Sequence, residues 1–295
     1  MRVLVTGSNG FVGPWLLGHL RDSGDEPVEL PETTDVRDAE GLSEAVRAAA
    51  PEAICHLAAQ ANVRLSWEDP LGTFNVNAVG TLNLCNAATT LSPVPRVLIV
   101  SSAEVYGKVP ASRMPVREAE PFAPTTPYAA SKAAAEMVGL QAWLGRGLPV
   151  VVARAFNHTG PGQGPGFVVP DLATQVASVA RGQLDRISTG NLDVSRDIID
   201  VRDVVRAYRL LLRGGEPGEA YNVCSGEAVA ISEVLQRLMR GAGVDAPVWT
   251  DPARMRPVDV PKHVGDRRKI TTLTGWAPEI PLDKTLGDVL ESLSR

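Results

Sequence analysis

The chain has 295 residues, of which 44% are hydrophobic, and a formal charge of −5. That length suits an α/β protein with a second lobe, no apolar run approaches the ~20 residues of a membrane span, and there is no basic cluster, so neither membrane insertion nor nucleic-acid binding is expected. Cys55, Cys85 and Cys224 share no CxxC spacing and His19, His56, His158 and His263 form no ligand set, which reads as buried thiols in a reducing cytoplasm and no metal site.

Arg2 to Val5 is a short β-branched apolar run, and from Phe11 the apolar residues continue at helical spacing, so the chain is expected to open as strand, turn and helix with no leader ahead of them. Gly7, Gly10 and Gly13 punctuate that turn. A plain βα connection is one reading. The spacing also fits a dinucleotide fingerprint: one glycine for the turn, one where backbone approaches a pyrophosphate, one for close helix-on-strand packing, with the helix N-terminus aimed at the phosphates. The position of the motif on the first strand favours the nucleotide reading.

A second strand is placed at about Val28 to Leu30, followed by the short stretch "PETT". Glu32 lies about 20 residues past the fingerprint, where an acid accepts a ribose 2′-hydroxyl and repels a 2′-phosphate. No arginine lies between Asp22 and Asp35, so of NAD and NADP the reading favours NAD. Strand and helix then alternate: Glu52 to Ala59 strand, Gly80 to Thr89 helix, Arg96 to Ser101 strand, Tyr128 to Gly145 helix, Val150 to Ala155 strand. That order predicts an α/β fold with a doubly wound parallel sheet of the Rossmann kind. Trp67 is placed in a loop after the fourth strand, where packing is the favoured role over covering the nicotinamide. The Pro-rich stretch from Val109 to Pro127 and the Gly- and Pro-rich stretch from Asn157 to Gly166 are expected to be loops near the carboxyl ends of strands, where open α/β sheets bind ligands.

After about residue 156 the pattern changes to shorter helices with Pro-Gly breaks. The reading is a dinucleotide-binding domain over 1–156, to which about 194–226 returns, and a smaller α/β substrate-binding lobe over 157–193 and 227–295. The returning pieces are "RDIIDVRDVVRAYRLLL" (Arg196 to Leu212) and "EAYNVCSG" (Glu219 to Gly226).

"SSAEVYG" (Ser101 to Gly107) precedes "YAASK" (Tyr128 to Lys132). A tyrosine and a lysine four apart on a helix share a face, so the ammonium is expected to lie beside the phenol and lower its pKa, which makes the two an acid/base pair. The helices at Gly80 to Thr89 and Tyr128 to Gly145 are apolar on more than one face, with Ala129, Ala130, Met137, Val138 and Leu140 in the second, which predicts a two-fold homodimer.

With these motifs in order, TGxxGxxG at Thr6 to Gly13, Asp35-Val36-Arg37-Asp38, "HLAA" at His56 to Ala59, "NAVGT" at Asn77 to Thr81 and the Ser-Tyr-Lys set, the whole chain resembles the extended short-chain dehydrogenase/reductase family. "RAFNHTGPGQ", "GNLDVSRDIID" and "RPVDV" (Arg256 to Val260) look most like its GDP-4-keto-6-deoxy-D-mannose reductases, which make GDP-rhamnose. The resemblance implies a nicotinamide cofactor held by Gly7, Asn9, Gly10, Phe11, Val12, Gly13, Glu32, Asp35, Val36, Leu57, Ala58, Ala59, Asn77, Tyr128 and Lys132, with Asp35 and Val36 beside the adenine. It implies a GDP-sugar touched by Ser102, Glu104, Asn157, His158, Val168, Asn191, Arg196, Arg256 and Asp259, the arginines gripping the pyrophosphate. In that chemistry hydride reaches the C4 ketone, Tyr128 gives the proton, Ser102 hydrogen-bonds the developing oxyanion and Lys132 holds the cofactor ribose. Glu104 stands where dehydratases of the family place the base for the C5 proton, so a GDP-mannose 4,6-dehydratase stays open. So do a nucleotide-sugar 4-epimerase and a non-catalytic dinucleotide sensor.

Overall fold

The computed structural model describes residues 1–255 and 260–293; Arg256 and Asp259, both expected at the substrate, lie outside the described residues. The chain runs β1 (Arg2–Thr6), α1 (Val12–Asp22), β2 (Glu26–Glu29), α2 (Ala39–Ala49), β3 (Ala53–His56), α3 (Val63–Glu68) and α4 (Pro70–Phe74), then a π-type turn at Asn75–Val79. It continues through α5 (Gly80–Thr89), β4 (Arg96–Ser102), a 3₁₀ turn at Ala103–Tyr106, α6 (Pro127–Arg146), β5 (Val150–Ala155), β6 (Asn157–Thr159), α7 (Val168–Ala180), β7 (Ile187–Thr189) and β8 (Ser195–Asp200). The last part comprises α8 (Val201–Gly214), β9 (Ala220–Val223), β10 (Ala228–Ala230), α9 (Ile231–Ala242), β11 (Val248–Thr250), β12 (Lys262–His263), α10 (Arg268–Thr274) and α11 (Leu282–Ser292).

Six strands form one parallel sheet in the order β2-β1-β3-β4-β5-β9. The chain leaves β1 first toward β2 and then crosses back to β3 on the other side, which opens a crevice at the carboxyl ends of β1 and β3. The inner strands β1, β3, β4 and β5 are largely apolar on both faces because both are covered, whereas the edge strand β2 reads EPVE. One core packs β1, β3, β4, β5 and β9 against α1 and α8 through Leu16, Leu20, Val204, Tyr208 and Leu211. The other packs the opposite face against α2, α5 and α6 through Leu42, Val46, Leu84, Ala142 and Leu148. A second sheet is built around β8, which pairs with β10, β12 and β6; α7, α9 and α11 cover a separate core of Leu172, Val176, Ile198, Val234, Leu235 and Val289.

Local chemistry sets the ends of the elements that carry the site. Thr126 caps α6, its hydroxyl accepting from the Ala129 amide at 3.0 Å, Pro127 fills the first turn, and Gly147 at φ +70° stops the helix. Ser102 ends β4 and caps the following 3₁₀ turn by accepting from the Glu104 amide at 3.2 Å.

Several expected positions shift. The second strand lies at Glu26–Glu29, because Arg2 to Val5 of β1 pair with Glu26 to Glu29 and no later residue. The third stops at His56, since the Ala58 amide bonds to the side-chain hydroxyl of Thr6 (3.2 Å) instead of to a strand carbonyl. Trp67 sits on α3, between β3 and β4, and is 48% exposed. "RDIID" belongs to β8 and hence to the second sheet; the return to the six-stranded sheet starts with α8, which packs on it, and β9, which joins it.

Gly13 shows how tightly the first turn is wound: a Cβ there would lie 1.9 Å from the Ser8 carbonyl oxygen. Gly13→Ala is therefore expected to cost about 1–3 kcal/mol through forced backbone movement. Urea unfolding measures it, and a variant as stable as the parent would contradict this packing.

Candidate active site

The turn after β1 leaves room for a ligand on one side and none on the other. Gly7, at φ +68°, lies so close to the loop after β3 that a Cβ would meet the Ala58 nitrogen at 2.7 Å and the Leu57 carbonyl carbon at 3.1 Å. At Gly10 the same construction meets only the Gly7 carbonyl oxygen, at 3.3 Å. Asn9 and Gly10 are exposed, Phe11 and Val12 half-buried, and Phe11 supplies no side-chain cap to α1. The turn is thus open at Gly10, beside the N-terminus of this eleven-residue helix, which fits a dinucleotide pyrophosphate. His56, at the end of β3, braces the turn from beneath, with Thr6 Oγ1 2.8 Å from Nδ1 and Thr81 Oγ1 3.1 Å from Nε2.

Asn77 connects this floor to the tyrosine helix. In the π-type turn, its Oδ1 accepts from the Gln60 amide (2.8 Å), and its Nδ2 donates to Gln60 O (3.1 Å) and Ser131 Oγ (2.8 Å). Ser131 in turn donates to Tyr128 O. One buried amide therefore fixes Ala58 and Ala59, just before Gln60, against α6. Ahead of α2, Val36, expected beside an adenine, is buried against Gly80, while Asp35, expected there too, is exposed and held by Arg37, whose Nε lies 2.9–3.0 Å from both carboxylate oxygens. Glu32 is exposed beyond the end of β2.

Ser102, Tyr128 and Lys132 come together at the carboxyl end of β4, all less than one-tenth exposed. The expected effect of the lysine on the phenol is overturned. Burial pushes Tyr128 up to about 12, against the Ser102 hydroxyl hydrogen-bonded to it, and the Glu104 carboxylate adds to the rise. Burial also brings Lys132 down to about 8, with Glu136 opposing, and its Nζ donates to Val100 O at 2.9 Å. Desolvation wins because both groups are largely withdrawn from water.

Behind them lies a polar cluster that the sequence reading missed. Glu136, 3% exposed, accepts from Arg154 Nε at 3.0 Å and Nη2 at 2.8 Å, and from Ser101 Oγ. Arg154 Nη1 donates to Tyr106 OH (3.0 Å) and Glu118 O (2.8 Å), and Tyr106 donates to Asn222 Oδ1 (2.7 Å). A signal was present: a lone arginine in the buried strand "VVVARA", and a glutamate four residues past the lysine.

The expected substrate residues stand on the second sheet and the loops beside it. Asn157 of β6 pairs with Ile198, two residues along β8 from Arg196, so Asn157 and Arg196 share a face. Arg196 is buried and donates to Ser195 O (3.0 Å) and Val260 O (2.7 Å). His158 stacks on Phe11 with centroids 6.2 Å apart and planes 8° from parallel, which joins the second sheet to the glycine turn. Val168 opens α7, and Asn191, in the β7–β8 connection, accepts from the Asp193 amide at 3.0 Å. Opposite Arg196 on β12, His263 packs against Phe156, and burial, helped by the Arg196 charge, lowers it to about 4.

Residues 29–289 match the family model for GDP-mannose 4,6 dehydratase. The chain belongs to that family. A GDP-6-deoxy-D-mannose reductase of Pseudomonas aeruginosa is 39% identical over 293 residues, covering 98% of this chain and 96% of the relative. The solved structure of RMD from P. aeruginosa complexed with NADPH superposes with a TM-score of 0.92 at 36% identity, covering 99% of each chain. A UDP-glucose 4-epimerase of Thermus thermophilus, in complex with NAD, gives 0.89 at 32%, covering 100% of this chain and 99% of the other. Within the GDP-mannose 4,6 dehydratase family the chain is thus an extended short-chain dehydrogenase/reductase over its full described length.

His56 gives this site an acid-sensitive floor. Burial, with the Lys132 charge adding to it, lowers the imidazole to about 3, below its unfolded value near 6.5. Its stabilising contribution is complete above pH 6.5 and is lost as pH falls toward 3, by about 1.4 kcal/mol per unit. The stability advantage of the parent over His56→Gln should therefore shrink between pH 6.5 and 5 in denaturant titrations. A pH-independent difference would show that His56 does not titrate this way.

Proposed function

We propose that this protein reduces the C4 ketone of GDP-4-keto-6-deoxy-D-mannose to GDP-D-rhamnose. The observation that carries the reading is the buried Ser102–Tyr128 pair at the carboxyl end of β4, where burial disfavours the phenolate. Reduction of a ketone needs a proton donor in place from the start, whereas dehydration and epimerisation begin with oxidation of the sugar, for which the tyrosine must begin as a base. The whole-length likeness to a reductase supports the same choice.

A bound reduced nicotinamide dinucleotide, NADH or NADPH, would supply the hydride. Gly7 to Gly13 and the first turn of α1 would hold its pyrophosphate, and Leu57 to Ala59 with Asn77 would border the rest of the dinucleotide. Ser102 hydrogen-bonds the ketone oxygen and orients it toward the phenol. Tyr128 transfers its proton to that oxygen as charge develops there, and the Lys132 ammonium stabilises the phenolate left behind until solvent returns the proton. Asn157 and Arg196, with Arg256, hold the GDP pyrophosphate by charge-assisted hydrogen bonds. His158, Val168 and Asn191 border the sugar and base, and Asp259 completes that side. Glu104, half-buried beside the phenol, keeps the dehydratase as the second reading.

Both readings are separated by turnover on the 4-keto-sugar with NADH or NADPH and on GDP-mannose alone. Tyr128→Phe is expected to lower ketone reduction by ~10²–10⁴ with dinucleotide binding retained, and Glu104→Gln to cost much less. Turnover of GDP-mannose without added reductant, abolished by Glu104→Gln, would replace the reductase by the dehydratase.

The enzyme is further read as a cytoplasmic homodimer, which suits its three buried, unpaired cysteines. Val79 and Leu82 around the start of α5 and Met137 and Leu144 on α6 are exposed on adjacent helices, the face a four-helix contact would cover. Light scattering at micromolar concentration should give twice the 31.3 kDa chain mass; a monomer would reject the contact.

A further inference from the structure

Lys132 is a buried cation whose nearest hydrogen-bond acceptor, Val100 O, is neutral. An ammonium in that position needs a counter-charge to stay protonated. The charged and titratable groups around this corner of the fold are Glu136, whose charge acts on Lys132, neutral His56 on β3, which feels the Lys132 charge, Tyr128 on the same helix, Glu104 on the 3₁₀ turn, whose charge acts on Tyr128, Arg154 on β5, paired with Glu136, and Glu118 on the loop before α6. Glu118 has its carboxylate on the Asn222 amide at 2.9 Å, and the charge of Glu104 is felt at Tyr128. Glu136 remains, four residues from Lys132 and eight from Tyr128, on the same stripe of α6.

An isolated buried ion pair is a poor way to add stability, since apolar residues of equal volume do as well. The Glu136–Arg154 pair is therefore better explained by what its carboxylate does for a neighbour. We propose that Glu136 is a positioning residue that keeps Lys132 in its ammonium form, with Arg154 and Ser101 fixing the place of the carboxylate. The inference rests on Tyr128 and Lys132 being the catalytic pair of the proposed reductase. Burial alone brings Lys132 within reach of physiological pH, and Glu136 is the group that opposes it. Without that charge the ammonium that stabilises the Tyr128 phenolate would lose its proton in the working range.

The chain has five lysines, at 108, 132, 262, 269 and 284, so the Lys132 side chain can be followed by NMR after selective ¹³Cε and ¹⁵Nζ lysine labelling, assigned by its loss in Lys132→Met. Glu136→Gln keeps the shape and removes the charge; it is expected to lower the Lys132 midpoint by about one pH unit or more. Glu136→Gln/Arg154→Met removes both buried charges, should move the midpoint the same way but by less, because loss of the Arg154 charge favours the ammonium, and covers the case in which the stranded arginine prevents folding. Ser101→Ala, which removes a hydrogen bond and no charge, should leave the midpoint in place. The high-pH limb of kcat/KM should fall with the midpoint in the charge-removed variants. An unmoved midpoint in the folded variants, or an equal shift in Ser101→Ala, overturns the proposal. A shifted midpoint in a protein that reduces no keto-sugar upholds the role of Glu136 and rejects the reductase; turnover with an unmoved midpoint does the reverse.

Discussion

A carboxylate and a guanidinium shut away from water between α6 and β5 hold the Ser102–Tyr128 corner of this molecule in register. Removing either partner would strand the other in a low-dielectric interior, at a cost of about 3–5 kcal/mol, so the elements that carry them are tightly coupled. The pair reaches further than its two residues. Arg154 lies over the rings of Tyr106 (5.0 Å) and Phe122 (4.8 Å), which ties the 3₁₀ turn and the long loop before α6 to the strand beneath. Tyr106 hands the connection to Asn222 on β9, whose Nδ2 donates to Val116 O (2.9 Å) and Asp266 O (3.3 Å). Ser102 heads the same turn and Tyr128 begins the same helix, so the placement of hydroxyl and phenol follows from this cluster.

The second sheet is held to the first by a similar device. Asp197 of β8 is fully buried, with its oxygens accepting from the Ser225 amide (2.7 Å) and hydroxyl (2.6 Å), the Gly226 amide (2.9 Å) and the Gly265 amide (3.2 Å). These donors come from the β9–β10 connection and the segment after β12, so β8 is clamped where the two sheets meet. Alternation along β8 then puts Arg196 on the other face from Asp197, beside Asn157. The pyrophosphate site proposed there depends on a carboxylate that never faces it.

Much of this was legible in the sequence where a local pattern decides the outcome. Gly80–Thr89 and Val150–Ala155 appear within the expected bounds, because helical periodicity and a continuous apolar run each leave one choice. The glycine spacing and the Tyr128–Lys132 interval were readable for the same reason. What was not legible depends on partners distant in the chain. "RDIID" reads as a strand whichever sheet it enters, and membership is decided by pairing with residues 157–159, 228–230 and 262–263. The direction of the Tyr128 shift was misjudged because spacing reports proximity to a lysine and says nothing of burial, and burial is the larger effect. Glu136 and Arg154 carried a signal in their odd chemistry, but only the fold brings residues from α6 and β5 into contact.

The raised phenol and the lowered ammonium have one cause and a joint chemical consequence. Both come from exclusion of water, which disfavours whichever form is charged. Tyr128 is thereby kept neutral and Lys132 is made the more readily deprotonated of the two, the reverse of the arrangement that would ionise the phenol in advance. In the proposed reduction this order is useful, since the phenol retains its proton until negative charge appears on the ketone oxygen. The ammonium must then be charged to balance the phenolate that forms. Desolvation alone supplies the first condition and works against the second, so a buried acid beside the lysine is what the two conditions together require.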